Sequence, residues 1–181
     1  MAAMLWAAAV LPVPGAAGAP PEGGRAPGPL LTRMLAGPLK GVSEIVFAVR
    51  TSAGPHWYEN FGYYAHEPKR TAYGNGGQLC RLLLRTGRVR VILADAKGSI
   101  RDPQVHYDGG KILFAYRKGG SATYHLYEID ADGTNLRQLT DGPDDDVEPA
   151  YLPDGGIVFG SSRCRRFVNC WFTRVQTLYR C

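Results

Sequence analysis

The residues best suited to chemistry fall into two sets. One is the ring-rich run His56-Trp57-Tyr58-Glu59-Asn60-Phe61-Gly62-Tyr63-Tyr64, followed by His66 and Tyr73. Rings with a polar edge stack on ligands and partner surfaces, so His56, Trp57, Tyr58, Asn60, Tyr63 and Tyr64 are candidate contact residues. The same ring density also suits a small core packed over a sheet end. The second set carries both charge signs: Arg101, Asp102, Arg117, Glu148 and Arg163, with Arg50 in a comparable place. These side chains could hold a charged ligand. Alternatively they pair with one another and fix the spacing of neighbouring elements, the simpler reading because many ion-pair networks are structural.

Other patterns support less. His56, His66 and His106 with Asp102 are possible transition-metal ligands, but no spacing motif ties them together. Asp144-Asp145-Asp146 offers hard oxygen ligands of the kind calcium takes, without the alternating ligand positions of a calcium loop, and reads as a solvated turn. His125 reads as a packing residue inside a strand. The chain has no Gly-x-Ser-x-Gly, no P-loop and no dinucleotide fingerprint. It has no Cys-x-x-Cys-His either, so c-type haem has no attachment point and no cofactor is expected in this chain. Of Cys80, Cys164, Cys170 and Cys181, Cys164 and Cys170 share one loop and could form a disulfide in an exported protein. Each cysteine also works as a small buried apolar residue.

The elements that must position these residues are written twice. Asp102-Pro103 runs through Asp108-Gly109-Gly110 to Ile112-Leu113-Phe114, and Glu148-Pro149 runs through Asp154-Gly155-Gly156 to Ile157-Val158-Phe159. A period of about 46 residues falls in the range of radially repeated sheets and predicts a β-propeller. Short apolar stretches closed by Gly- and Asp-rich turns place four strands per blade. Strand A is Pro103–Tyr107, B is Lys111–Arg117, C is Tyr124–Ile129 and D is Leu136–Leu139. The following blade has A at Pro149–Leu152, B at Ile157–Phe159 and C from Thr177 to Arg180. An upstream blade has B at Ile45–Arg50, C at Gln78–Leu84 and D at Val89–Leu93. The expected fold is therefore all-β, a partial β-propeller of four-stranded antiparallel blades, one complete and two incomplete. Propellers close with four to eight blades, so the chain reads as part of a longer one or as one completed by partners.

In such blades the B-to-C and D-to-A connections emerge at one end, and the other end carries tight turns. The stretches Thr51–Gly77, Ala94–Asp102, Asp141–Glu148 and Ser162–Thr173 belong to the first end, which is thus the expected contact face for a protein partner or a small ligand.

Residues 1–19 are apolar and Ala-rich and end in small residues, a signal-like segment. They are broken by Pro12 and Pro14 and are too short to span a bilayer. Residues 20–41 form a Pro/Gly-rich linker, and residues 42–181 the propeller. A signal implies a periplasmic or secreted protein. Net charge is +5 at pH 7, but Arg81, Arg85, Arg88 and Arg90 alternate along strands and turns as a solvated surface would. Without a focused basic stripe or a recognisable module, nucleic-acid binding is not expected.

The phrases Arg101–Gly109, Tyr124–Ile129, Leu136–Gly142 and Glu148–Gly156 resemble the TolB-like propeller repeats of exported bacterial proteins. More narrowly, His56–Tyr64 and the segments Ser161–Cys164 and Val168–Trp171 are similar to the middle domain of the hydrazine synthase alpha subunit family. That resemblance, over residues 42–181, implies a propeller within an extracytoplasmic multidomain protein. In that family the domain belongs to a c-haem enzyme that joins nitric oxide and ammonia. The activity is not expected of this chain alone, which reads as a binding or scaffolding domain. The competing expectation is one wall of a redox or carbohydrate site.

Overall fold

The computed structural model describes residues 27–51, 74–167 and 174–181. Among the described residues, ten antiparallel strands form three sheets. The first holds β1 (Glu44–Thr51), β2 (Gly74–Leu83) and β3 (Arg88–Asp95). The second is β4 (Ser99–Val105), β5 (Lys111–Arg117), β6 (His125–Asp130) and β7 (Arg137–Gln138). In the third, β8 (Asp146–Tyr151) pairs with β9 (Ile157–Ser161), which pairs with β10 (Thr177–Arg180). These are strands B-C-D, A-B-C-D and A-B-C, the one complete and two incomplete blades expected. Phe47 faces Cys80, Phe114 faces Tyr127 and Phe159 faces Tyr179 across the B and C strands, so the three blades share one register.

Two apolar layers join the blades. Between the first and second lie Leu79, Ile100, Ile112, Phe114, Tyr127 and Ile129. Between the second and third lie Leu113, Ala115, Tyr124, Leu126, Val147 and Phe159. Cys80, fully buried in blade one, has its thiol pushed up to about 11 by burial.

The tight-turn end is built from four connections, each with a glycine of positive φ: Gly87, Gly109, Gly133 and Gly155. Asp108 Oδ1 accepts the Gly110 amide at 2.7 Å and Asp154 Oδ1 accepts that of Gly156 at 3.0 Å, the same turn made twice.

The structure departs from the sequence expectations in several places. Both A strands begin before their proline, because Asp102 (φ 55°) and Glu148 (φ 52°) adopt the left-handed conformation at a bulge. A bulge lets a strand contain a proline that has no N–H to give. Gly74–Gly77, expected in a loop, opens β2. Strand D of blade two is only Arg137–Gln138. The expected linker contains helix α1 (Pro29–Ala36), with proline at its first turn and Gly37 at its end. Residues 1–19 lie outside the described residues.

Candidate functional site

Strands β1, β5 and β9 finish, and β2, β6 and β10 start, at one end of the sheets; β3 hands over to β4, and β7 to β8, at the same end. Of the candidate contacts, His56, Trp57, Tyr58, Asn60, Tyr63 and Tyr64 lie outside the described residues. The charged candidates Arg101, Asp102, Arg117, Glu148 and Arg163 are all described, and what they form is a lattice beneath this end.

Its axial part is a clasp between consecutive bulges. Arg101, 1% exposed, places Nε 2.5 Å from Asp102 Oδ2 and Nη2 3.3 Å from Glu148 Oε1 on the next blade. The Glu148 amide donates to Asp102 Oδ2 at 3.2 Å. The guanidinium carbons of Arg101 and Arg117 lie 5.9 and 5.8 Å from the Tyr124 ring centroid, a cation–π arrangement. Burial pushes the Tyr124 phenol up, against the pull of Ser99 and the two arginines. Arg117 Nη2 reaches Asn75 Oδ1 on blade one at 3.2 Å. For Arg101 and Arg117 the structure thus supplies contacts between blades. Arg163 differs: it pairs at 2.8 Å with Asp146 of its own blade and lies over the Phe159 and Tyr179 rings.

Asp144-Asp145-Asp146 is not a solvated turn. Asp146 is 0% exposed, and besides Arg163 it has His125 Nδ1 3.6 Å from Oδ2. Asp145 Oδ1 accepts the Tyr124 amide at 2.8 Å. Asp144 takes Arg174 at 2.7 Å and Arg165 at 3.3 Å. The three carboxylates point to three sets of partners, which rules out one shared ion and explains their burial. His125 is buried, as a packing residue should be, and also bonds Thr123 Oγ1 through Nε2 at 3.2 Å. His106, considered as a metal ligand, stands at a tight turn, 2.8 Å from Asp108 and edge-on to Tyr151. Arg81 is not merely solvated: it pairs with Glu44 at 3.2 Å and donates to Ala131 O on blade two. Cys164 is a free thiol donating to Val175 O at 3.2 Å; Cys170, its expected disulfide partner, lies outside the described residues.

Sequence reasoning missed Asp95. At the handover from β3 to β4 it accepts the Lys97 and Gly98 amides at 2.9 Å each, the Gly119 amide at 2.8 Å and the Tyr116 hydroxyl at 2.6 Å. Burial pushes its pKa up, but the bonds from Tyr116, Gly119, Lys97 and Gly98 outweigh that and hold it below the ordinary range. The only sequence signal was an acid followed shortly by a glycine where two strands meet. At the opposite end Glu128 is depressed as well: burial raises it, and Arg137 and Tyr151 more than compensate. Tyr151 Oη donates to Glu128 Oε1 at 2.8 Å, fastening blade three to blade two.

These carboxylates set the acid limb of stability. A carboxyl depressed in the folded state contributes its full stability above the unfolded pKa near 4 and loses it as pH falls through the lower folded value. Asp145 acts in the opposite sense, since burial raises it. In urea melts from about pH 6 to about pH 2, Asp95→Asn should show a shallower acid decline than the parent. An unchanged slope would remove Asp95 from this role.

The architecture defines an all-β protein of antiparallel propeller blades. The chain resembles hydrazine synthase subunit alpha of Kuenenia stuttgartiensis, 32% identical over 126 residues that make up 67% of this chain. The chain spans only 14% of that subunit's length. The solved structure of Kuenenia stuttgartiensis hydrazine synthase superposes with a TM-score of 0.54 at 22% identity, covering 77% of this chain and 21% of that one. TolB from Acinetobacter baumannii gives a TM-score of 0.43 at 21% identity, over 58% of this chain and 24% of TolB. No family profile matches the chain.

Proposed function

We propose that this chain is a binding and scaffolding portion of an exported propeller protein, with the end that carries the B-to-C connections as its contact surface. The observation behind this reading is the network of buried and half-buried ion pairs and hydrogen bonds under that end, where Asp95, Arg101, Arg117 and Asp146 join strands and blades. Such a base suits loops that must present side chains in fixed positions. The loop residues proposed to make the contact are His56, Trp57, Tyr58, Asn60, Tyr63 and Tyr64, and no cofactor is proposed for the chain.

A second reading draws on the similarity to hydrazine synthase subunit alpha: the same surface walls a redox site in a larger haem enzyme. One experiment separates the two. The full chain is immobilised and exposed to periplasmic extract, beside a Trp57→Ala/Tyr58→Ala variant. The variant should retain about tenfold less partner, a loss of roughly 1.4 kcal/mol, while its thermal midpoint stays within about 2 °C. A Soret band in the retained fraction would favour the haem enzyme. Equal loss of midpoint and retention would return both rings to a packing role and defeat the binding proposal.

A further inference from the structure

The outer strands of blades one and two differ in a way the repeat does not demand. β3 runs for eight residues, whereas its counterpart β7 has two. Each is the last strand of its sheet, so among the described residues no strand pairs with its outer side. Cys80 and Tyr127 face Phe47 and Phe114, so Arg81 and Glu128, which follow them, hold the same place on strand C. Opposite these two on the outer strands stand Arg90 and Arg137. In blade two the pair is satisfied, with Arg137 Nη2 2.5 Å from Glu128 Oε2. In blade one two arginines face each other, an unfavourable match across strands, and Arg81 is committed to Glu44 and to Ala131 O. Arg85, Arg88 and Arg90 are exposed and have no ion pair among the described residues. The acid on the strand, Asp95, is occupied by four donors at the handover to β4.

We infer that the outer edge of β3 is a docking site for an acidic, extended segment of a partner protein, which adds to the sheet as a further strand and sets carboxylates at alternate positions against Arg88 and Arg90. The inference is independent of the reading given to the loop end, because this edge is the rim of blade one. A bare edge offers a row of N–H and C=O groups that give affinity, while side chains at every second position give specificity. Arg88 and Arg90 are two residues apart and therefore share one face, where residues directly opposite on an added strand come within about 5 Å at Cβ. Charge complementarity selects the occupant: the edge presents cations, and the acid that blade two supplies from its own sheet is replaced here by Arg81. A second copy of this chain does not fit. Its β3 has only Asp95 to offer, and that carboxylate is already bonded, while arginines on both edges oppose pairing of like with like.

The test uses the full chain and a synthetic peptide with blocked ends, Thr-Val-Glu-Val-Glu-Val-Thr, titrated at about 50 mM salt so that surface charges are little screened. At saturation, amide hydrogen exchange over Arg88–Asp95 should slow by about tenfold. An Arg88→Glu/Arg90→Glu variant should bind the peptide at least about tenfold more weakly and take up the lysine version, Thr-Val-Lys-Val-Lys-Val-Thr, instead. Its thermal midpoint should be no lower than the parent's, since both side chains are exposed. The glutamate peptide N-methylated at alternate amides, made in both phases, should fail to bind in one phase only, because one edge of the peptide meets β3. No slowing of exchange in β3 at about 1 mM peptide, or parental affinity in the double variant, overturns the inference. Equal binding of both methylated peptides would reduce the contact to charge without strand pairing and overturns it too. So does displacement by an oligothymidylate as effective as by the peptide itself, which would make the edge a general polyanion surface.

Discussion

Replacing Gly77 by alanine is expected to lower the unfolding free energy by about 3 kcal/mol, at the upper end of what overpacking costs. A Cβ at this position in β2 would lie 2.4 Å from the Ile100 nitrogen and 2.7 Å from the Ser99 Cα, both backbone atoms of β4. Backbone cannot swing aside as a side-chain end can, so the first two blades would have to separate. The Gly76 and Gly77 amides, which donate to Gly98 O at 3.0 and 3.1 Å, would be drawn out of range with them. In a thermal melt the midpoint should drop by roughly 10 °C. Gly155→Ala is the control: nothing lies within 4 Å of the added methyl, and only its φ of 85° is strained, a cost of about 1 kcal/mol. Equal losses at the two positions would show that the blade contact is looser than described.

Arg101→Ala should be nearly as damaging, about 3 kcal/mol by urea unfolding. The substitution leaves Asp102, largely buried, without its cation and the Tyr124 ring without one of its two guanidinium neighbours. Glu148 adds little to the loss, because its side chain is half exposed and its pair with Arg101 is screened by water. Arg101→Lys should recover only part of the stability, since an ammonium cannot reach Asp102 and Glu148 at once as the guanidinium fork does. Full recovery with lysine would show that charge alone matters there.

The strands and tight turns were legible because their signals are local. Thr86-Gly87, Asp108-Gly109, Asp132-Gly133 and Asp154-Gly155 each combine a polar residue with a left-handed glycine, and the apolar runs between them are strand length. What stayed hidden depends on distant residues. Asp102-Pro103 read as the start of a strand, whereas the preceding Ser99–Arg101 already pairs with β5 and the bulge absorbs the proline. Gly74–Gly77 read as the close of the long connection from Thr51, but Gly77 sits in β2 and is small because another backbone passes against it. Asp144 looked solvated because Arg165 and Arg174 follow it by 21 and 30 residues. The charged candidates read as a set that pairs to fix the spacing of neighbouring elements; within it Arg101 reaches Glu148 of the next blade while Arg163 pairs inside its own, a distinction that depends on register and not on residue type. Asp95 escaped notice because three of its four donors are main-chain amides, which leave no trace in side-chain pattern.

Cys80 gives the fold a chemical clock. With its thiol pushed up to about 11, only about one molecule in ten thousand carries a thiolate there at pH 7, and no reagent reaches the sulfur while blade one stays shut. The residue is therefore inert even in oxidising surroundings. The speed at which an alkylating agent captures it counts how often that leaf of the structure comes apart.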